Sequence, residues 1–511
     1  MEDHFCKAMM FSFLFLVLCI TSKMVSKFWW RPKSVEKQLR KQGVRGNSYK
    51  LFNGDVDVLK KYSMEALSKP ITLNQHIVPR VMPFFHEMVE KHGKVSLSWF
   101  GRIPRLIVAD AELTRTILAN QNGHFTKPPV LNPLVDLLQL GISTLEGETW
   151  AKRRKLITPA FHFEKLKAMV PAFSASCCSL IDRWEKLIKA EGSCIVDVAP
   201  EFNILAGDVI ARTAFGSSYE EGKMVFELQT EQLQLVLEAY YSNYFPGLRF
   251  IPTKKNKRRF QIYNQVMATL KDIIEKKENE MMNGELKGDS LLRILLQCKG
   301  ESNNSLTSEH LIEECKLFFF AGQETTAILL TWTMVVLCIH QNWQEKARAE
   351  VLDICGQNTP HFEAINRLKI VSMVLHEVLR MYPSVTKFMR YTKCATKIGN
   401  ISVPAGVEIC LPLMLLHYDD NYWDKPEEFN PERFAEGISK ASKDQIAFYP
   451  FGWGPRICLG QNFALIEAKM ALAMILQHFS FQLAPSYTHA PYDHITLKPQ
   501  HGASIILQCI N

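Results

Sequence analysis

The stretch FGWGPRICLGQNFALIEAKMALAMILQ holds one cysteine, Cys458, between a glycine-rich run and a segment with helical periodicity. The positive end of a following helix favours thiolate over thiol, and a thiolate is a soft metal ligand. Gly452, Gly454 and Gly460 let the backbone approach a flat ligand closely. A lone cysteine cannot hold zinc or an iron–sulfur cluster, which take several protein ligands, whereas one axial thiolate suffices for haem iron. Arg456 is then placed to pair with a haem carboxylate.

Three further constellations accompany it. The run Leu317–Ile339 carries one charge, Glu324, within AGQETT. Its length would allow a membrane span, but a charge at a bilayer centre costs about 2.5–3.5 kcal/mol, so a helix buried through a protein core fits better. Ala321 and Gly322 are small enough for a ligand to lie against the backbone, and Glu324 sets an acid beside the Thr325 hydroxyl. The alternative for Thr325 is a bond back into its own helix. Glu377 and Arg380 in HEVLRMYP share one helical face, an arrangement that is often mere surface pairing. Trp150 and Arg154 in WAKRRK repeat at four residues; both donate hydrogen bonds at an apolar boundary.

The elements that must carry these residues are mainly helical. Apolar spacing of three and four marks 164–189, 262–286, 308–340, 364–381 and 463–478 as helices. Strand signals are short: Lys94–Trp99, Arg105–Ala109, Thr396–Val403, Val407–Leu411 and Ser504–Cys509. The expected fold class is therefore mainly α with small β-sheets. No repeat and no Gly/Ser/Pro-rich linker divides the chain after residue 50, which favours one continuous domain over 51–511.

An uncharged run follows Lys7, and nine basic residues against one acid, Glu36, lie between Lys23 and Lys50. Residues 1–30 read as a single transmembrane anchor and 31–50 as a basic linker, with the following domain in the cytosol by the positive-inside rule. A cleaved signal peptide and a buried helix are the alternatives. The sequons at Asn303 and Asn400 would then stay away from the glycosylating lumen.

With 47% apolar and 22% charged residues among 511, the chain is neither disordered nor fibrous. Thirteen scattered cysteines without a C-x-x-C argue for a reducing compartment. A net charge of +8 is mild, and the basic clusters at 152–155 and 254–259 lack interleaved aromatics, so nucleic acid is not expected. Solvated faces are the ordinary reading of both clusters; a docking face for an acidic protein is the functional one.

Phe451, Gly452, Gly454, Arg456, Cys458 and Gly460 resemble the haem-binding signature of cytochrome P450 monooxygenases position for position. Finer stretches, among them WFGRIPR, LEGETWAKRRKLITPAFHFEKLK and LAPSYTHAP, resemble the plant CYP72 family and clan, whose members oxidise terpenoids. The resemblance implies the P450 fold, haem b (iron protoporphyrin IX) with Cys458 as axial thiolate, and Phe451, Gly454 and Gly460 lining the cofactor. It further implies that Glu324 and Thr325 deliver protons to dioxygen. Glu377 and Arg380 would form a buried lock with Arg433 of the PERF segment, and Trp150, Arg154, Arg390 and Arg456 would meet the haem propionates. His417 stands where the family often has a histidine; no role follows from that. A Pro-rich hinge after the anchor is absent, Pro32 alone standing there.

By the same likeness, substrate would face Lys127–Leu140, Phe318–Thr326, Ser384–Met389 and Tyr492–Thr496, including Ala321, Gly322, Val385, Lys387 and His494. Lys387 and His494 are candidates to meet a substrate carboxylate or hydroxyl. The implied enzyme is a single-pass endoplasmic reticulum membrane protein that oxidises a hydrophobic small molecule with O2. No G-x-G-x-x-G fingerprint is present, so electrons would come from a separate NADPH–cytochrome P450 reductase, docking where Lys152 and Arg153 lie. The rivals are a haem-thiolate isomerase or dehydratase acting without O2 or reductase, and a haem-free membrane protein using 317–339 as a second span.

Overall fold

The computed structural model describes residues 2–130, 132–138, 141–216, 219–240, 247–284, 290–299, 306–443 and 446–510. The sequon at 303 falls outside them, as do Leu131, Gln139 and Leu140 of the first substrate segment. The chain is mostly helical with small sheets, and its residues group into two compact units.

The first unit comprises 1–69, 77–128 and 387–416. Its sheet has six strands in the order Arg45–Gly46, Val95–Phe100, Ile103–Val108, Glu408–Leu411, Phe388–Thr392, Phe125–Thr126. Three are the expected strands shifted by a residue or two, while the expected strand 396–403 is a hairpin of Thr396–Ile398 and Ile401–Val403, broken at a positive-φ turn at Gly399. The two-residue strands and Phe388–Thr392 are too short or too interrupted to announce themselves by alternation. Arg105 and Glu408 are register partners on adjacent strands, and their buried side chains pair at 2.7 Å.

The amino end is helical from Glu2 to Val25, continues through a π segment at Ser26–Trp30 and enters the helix Arg31–Arg40. Phe11, Phe13, Leu14, Phe15 and Leu18 are all exposed, an apolar surface that makes this segment a candidate membrane anchor. The stretch expected as a linker is thus helical at Arg31–Arg40, with Pro32 in its first turn and Val35 and Leu39 buried. Glu36 accepts Lys33 at 2.9 Å and Arg40 at 3.1 Å.

The second unit comprises 70–76, 129–386 and 417–511. Its axis is the helix Ser308–Ile339, capped by Thr307, whose Oγ1 accepts the His310 N–H at 3.2 Å. Every residue of Ala327–Cys338 is buried, so this apolar run is a core helix and not a second span. It packs against Val198–Ile210, Lys369–Met381 and Gln461–His478. Phe319 stacks on Phe215 at 4.1 Å and Trp332 on Tyr382 at 4.5 Å. The expected helix 364–381 is two helices, Phe362–Arg367 and Lys369–Met381, separated by Leu368 in an extended conformation. The carboxyl-terminal strand Ser504–Cys509 lies between Phe479–Leu483 and Cys194–Asp197. A hairpin of Pro491–His494 and Thr496–Pro499 completes the unit.

Candidate functional site

The cysteine loop is built on turns that only glycine enters without strain. Gly452 and Gly454 have φ of 80° and 72°, and the Cys458 N–H donates to the Phe451 carbonyl at 2.8 Å, closing the loop on itself. The helix Gln461–His478 starts directly afterwards. Burial pushes the Cys458 thiol up, against the opposing pull of the Gly460 N–H and of Arg154. The helix start therefore moderates the thiol pKa without lowering it below the ordinary value; a bound metal cation is what makes a ligating sulfur fully thiolate. Although sheltered enough for burial to dominate, the Cys458 side chain has an open surface. Cys458 is thus flanked by protein on most sides yet still exposed as a residue, as a ligand to a flat group must be.

Trp150 and Arg154 lie on the helix Gly147–Ile157. The Arg456 guanidinium sits 4.5 Å over the Trp150 ring, bonds the Leu145 carbonyl at 2.9 Å and pairs with Glu146 at 2.6 Å. Arg154 is half-buried, and burial lowers its pKa while the neighbouring Cys458 opposes the shift. These cations converge beside the cysteine, with Arg456 held by an acid that sequence reading passed over. Arg153 is the exception in its cluster: it is buried and pairs with the fully buried Glu314 at 2.7 Å, which also accepts the Ile142 N–H at 3.1 Å. It therefore fastens the Trp150 helix to the core helix and is unavailable to a docking partner; only Lys152 and Lys155 of that run are exposed. In the second basic cluster Lys255 and Arg258 are paired with Glu238 and Glu231, and Arg259 is buried.

Glu377 and Arg380 are wholly buried and joined by two bonds of 2.8 Å. Arg380 also donates to the carbonyls of His417 at 2.8 Å and Pro426 at 2.7 Å. Arg433 reaches Glu377 at 3.4 Å, and the Asn430 N–H adds a bond at 2.9 Å. The three-residue lock is present, and the surface-pair alternative for Glu377 and Arg380 is excluded by their burial. His417 completes it. Its Nδ1 lies 3.0 Å from the Arg380 carbonyl, and its Nε2 accepts the Tyr449 N–H at 3.3 Å, two residues before the cysteine loop. Burial, with Arg380 nearby, pushes its pKa down to about 3, so it is a neutral bridge.

On the core helix Glu324 is buried and Thr325 half-buried. The Thr325 hydroxyl donates to the Ala321 carbonyl at 2.8 Å, which is the back-bonded arrangement. A Cβ on Gly322 would come within 2.9 Å of the Ile210 side chain, so this glycine serves helix packing. Glu324 accepts Thr496 Oγ1 at 2.8 Å and pairs with Lys498. Ser384 Oγ donates to the Thr325 carbonyl at 2.9 Å. Segments 318–326, 384–386 and 492–496 thus meet around the acid–alcohol pair, with Val385 half-buried among them. His494 is half-buried, and burial together with Lys498 lowers its pKa, so it offers a neutral imidazole. Lys387 and Arg390 belong to the first unit: Lys387 Nζ lies 5.9 Å from the Phe85 ring, and Arg390 is buried with a bond to the Met389 carbonyl.

The family model for cytochrome P450 matches residues 68–506. The chain belongs to the cytochrome P450 family. This P450 is 50% identical over 488 residues to Cytochrome P450 CYP72A616 of Paris polyphylla, covering 94% of each chain. It is 43% identical over 513 residues to Secologanin synthase 1 of Catharanthus roseus, covering 99% of this chain and 98% of that one. It is 46% identical over 496 residues to 11-oxo-beta-amyrin 30-oxidase of Glycyrrhiza uralensis, covering 95% and 94%. The P450 is thus a haem-thiolate monooxygenase of the CYP72 group; the family uses haem b, O2, a reductase and hydrophobic substrates. The residues fit the cofactor: one accessible sulfur, flanked by cations for its carboxylates. Among the described residues no cluster of three or more His, Cys, Asp or Glu offers a metal ion an all-protein site.

Residues that sequence reading missed are Glu146, Glu314, Asn430, Thr496 as a partner of Glu324, and Lys498. Only Thr496 and Lys498 left a signal, the alternation of the hairpin strand that brings both to one face.

Proposed function

We propose that this P450 hydroxylates a carbon-rich terpenoid at a C–H bond, at the cytosolic face of the endoplasmic reticulum, with electrons from NADPH–cytochrome P450 reductase. Relatives named for secologanin and for an oxidised amyrin support the substrate class. The observation that carries the reaction type is the buried Glu324 beside Thr325 on the core helix, an acid–alcohol pair that an isomerase or dehydratase would not need.

In this reading Cys458 would hold the haem iron, Trp150, Arg154 and Arg456 would bind haem carboxylates, and Arg390 would be a further residue for a propionate. Bound there, haem supplies the activation of dioxygen that no side chain can perform. Glu324 takes up protons from solvent and passes them inward through the Thr325 hydroxyl, which must first release the Ala321 carbonyl. Phe318, Ala321, Val385 and His494 border the substrate, the apolar members excluding water and His494 orienting a polar group. The balance is substrate, O2, NADPH and one proton giving alcohol, water and NADP+. Exposed Lys152 and Lys155 are the docking cations for an acidic reductase.

The test is incubation of microsomes containing the enzyme with iridoid and triterpenoid substrates, with and without reductase and NADPH. A product one oxygen atom heavier that requires both components supports the reading; conversion without either favours the isomerase.

A further inference from the structure

The Pro491–Pro499 hairpin reverses at a single residue, Ile495, whose φ of 68° is costly for a β-branched side chain. Its register pairs Tyr492 with Lys498 and His494 with Thr496, so strand alternation puts these four residues on one face and Asp493 and Leu497 on the other. The hairpin is also anchored away from the first face: Thr386 donates to the Asp493 side chain at 3.0 Å, and along the strand edge the Leu497 N–H donates to the Ser384 carbonyl at 3.1 Å and Trp332 Nε1 to the Leu497 carbonyl at 2.8 Å. Ser384 in turn holds the Thr325 carbonyl at 2.9 Å. The first face meets Glu324, and both of its contacts, from Thr496 and Lys498, fall on the same oxygen, Oε1.

We propose that Lys498 and Thr496 are positioning residues that hold the Glu324 carboxylate in one orientation, tying the proton-delivering acid to the hairpin that borders the substrate. This rests on the reading of Glu324 as the proton donor. The physical reason is that a long acidic side chain on a buried helix has several rotamers, and a relay works only in the one aimed at its acceptor. A cation and a hydroxyl on one carboxylate oxygen select that rotamer while leaving the other oxygen outside the tether. Without them Glu324 still lies beside Thr325 but its aim is lost.

Two readouts separate the tether from the relay. The first is hydrogen–deuterium exchange of the 491–499 amides in haem-loaded Glu324→Gln, Lys498→Met and the double variant. A real tether gives a non-additive cycle, the double variant exchanging no faster than the faster single one; additive effects would overturn the tether whatever Glu324 does in turnover. The second is substrate-free NADPH oxidation with reductase. There O2 goes either to peroxide, with one NADPH and one proton, or to two waters, with two NADPH and two protons. Lys498→Met and Thr496→Val should raise peroxide formed per NADPH toward the value of Glu324→Gln and cut the water-forming rate about tenfold, the size expected for losing a charge-assisted hydrogen bond. Lys498→Arg should restore both. If Glu324→Gln shifts the partition and neither Lys498→Met nor Thr496→Val does, the positioning role is wrong and the relay stands. If Glu324→Gln shifts nothing, the relay reading falls and the positioning role with it.

Discussion

His417 bonds the backbone carbonyl of Arg380 through Nδ1 at 3.0 Å while its Nε2 takes the Tyr449 N–H at 3.3 Å. One neutral imidazole thereby joins the buried Glu377–Arg380 lock to the segment that enters the cysteine loop. Only a side chain that donates at one end and accepts at the other can do both.

That bridge has a defined pH signature. The folded pKa is depressed to about 3, so the native state binds fewer protons than the unfolded state below the ordinary histidine value near 6.5. Its contribution is intact above about pH 6.5 and falls by about 1.4 kcal/mol per pH unit as the pH drops toward 3. His417→Gln, which keeps a donor and an acceptor, should flatten this acid limb in thermal unfolding. His417→Ala should lower the haem-loaded fraction by leaving two buried backbone groups unmatched, at roughly 1–3 kcal/mol each.

Glu467 carries the opposite sign. It is fully buried on the helix after Cys458, neither carboxyl oxygen has a hydrogen-bond partner among the described residues, and burial raises its pKa well above the ordinary range. The unfolded carboxyl ionises near pH 4.3 and the folded one does not, so stability is lost as pH rises, again by about 1.4 kcal/mol per unit until the buried acid ionises. Glu467→Gln should therefore raise the melting temperature at pH 7.5 and leave it nearly unchanged at pH 4.5. Equal shifts at both pH values would contradict the buried neutral acid.

Glu377→Ala leaves Arg380 buried with its carboxylate partner gone, which costs roughly 3–5 kcal/mol. Little folded, haem-loaded protein is expected on quantitative pigment assay. Normal haem incorporation would refute the lock.

The basic run at 152–155 divides by burial. Arg153→Ala should cut the yield of loaded enzyme, since Glu314 would be left buried and unpaired at about 3–5 kcal/mol. Lys152→Glu with Lys155→Glu should leave pigment yield intact and raise the reductase concentration needed for half-maximal turnover at low salt, with the difference fading as salt screens it. Unchanged kinetics in the double reversal would move the docking face elsewhere.

The helices that bear the chemistry were legible because their periodicity is long and their motifs dense: the core helix and the helix after Cys458 lie where apolar spacing placed them, and the lock helix is the second part of the expected 364–381 segment. What escaped the sequence was pairing at a distance. Arg153 and Arg154 are adjacent and alike in type, yet one faces Glu314 and the other Cys458, and a one-residue rotation of 100° on a helix is invisible until the helix is docked. Lys498 pairs with an acid 174 positions earlier, and the alternation that puts it on one face with Thr496 does not say which distant helix that face meets. Gly322 looked like room for a ligand and is room for Ile210.

Haem binding in this P450 depends on Cys458 as the axial ligand. The most direct test is the ferrous–carbon monoxide difference spectrum of microsomes holding the full chain, beside Cys458→Ala expressed to the same level. The expected result is a strongly red-shifted, thiolate-type Soret band in the native enzyme and none in the variant. The same band in Cys458→Ala, or its absence from well-expressed native protein, would contradict the account.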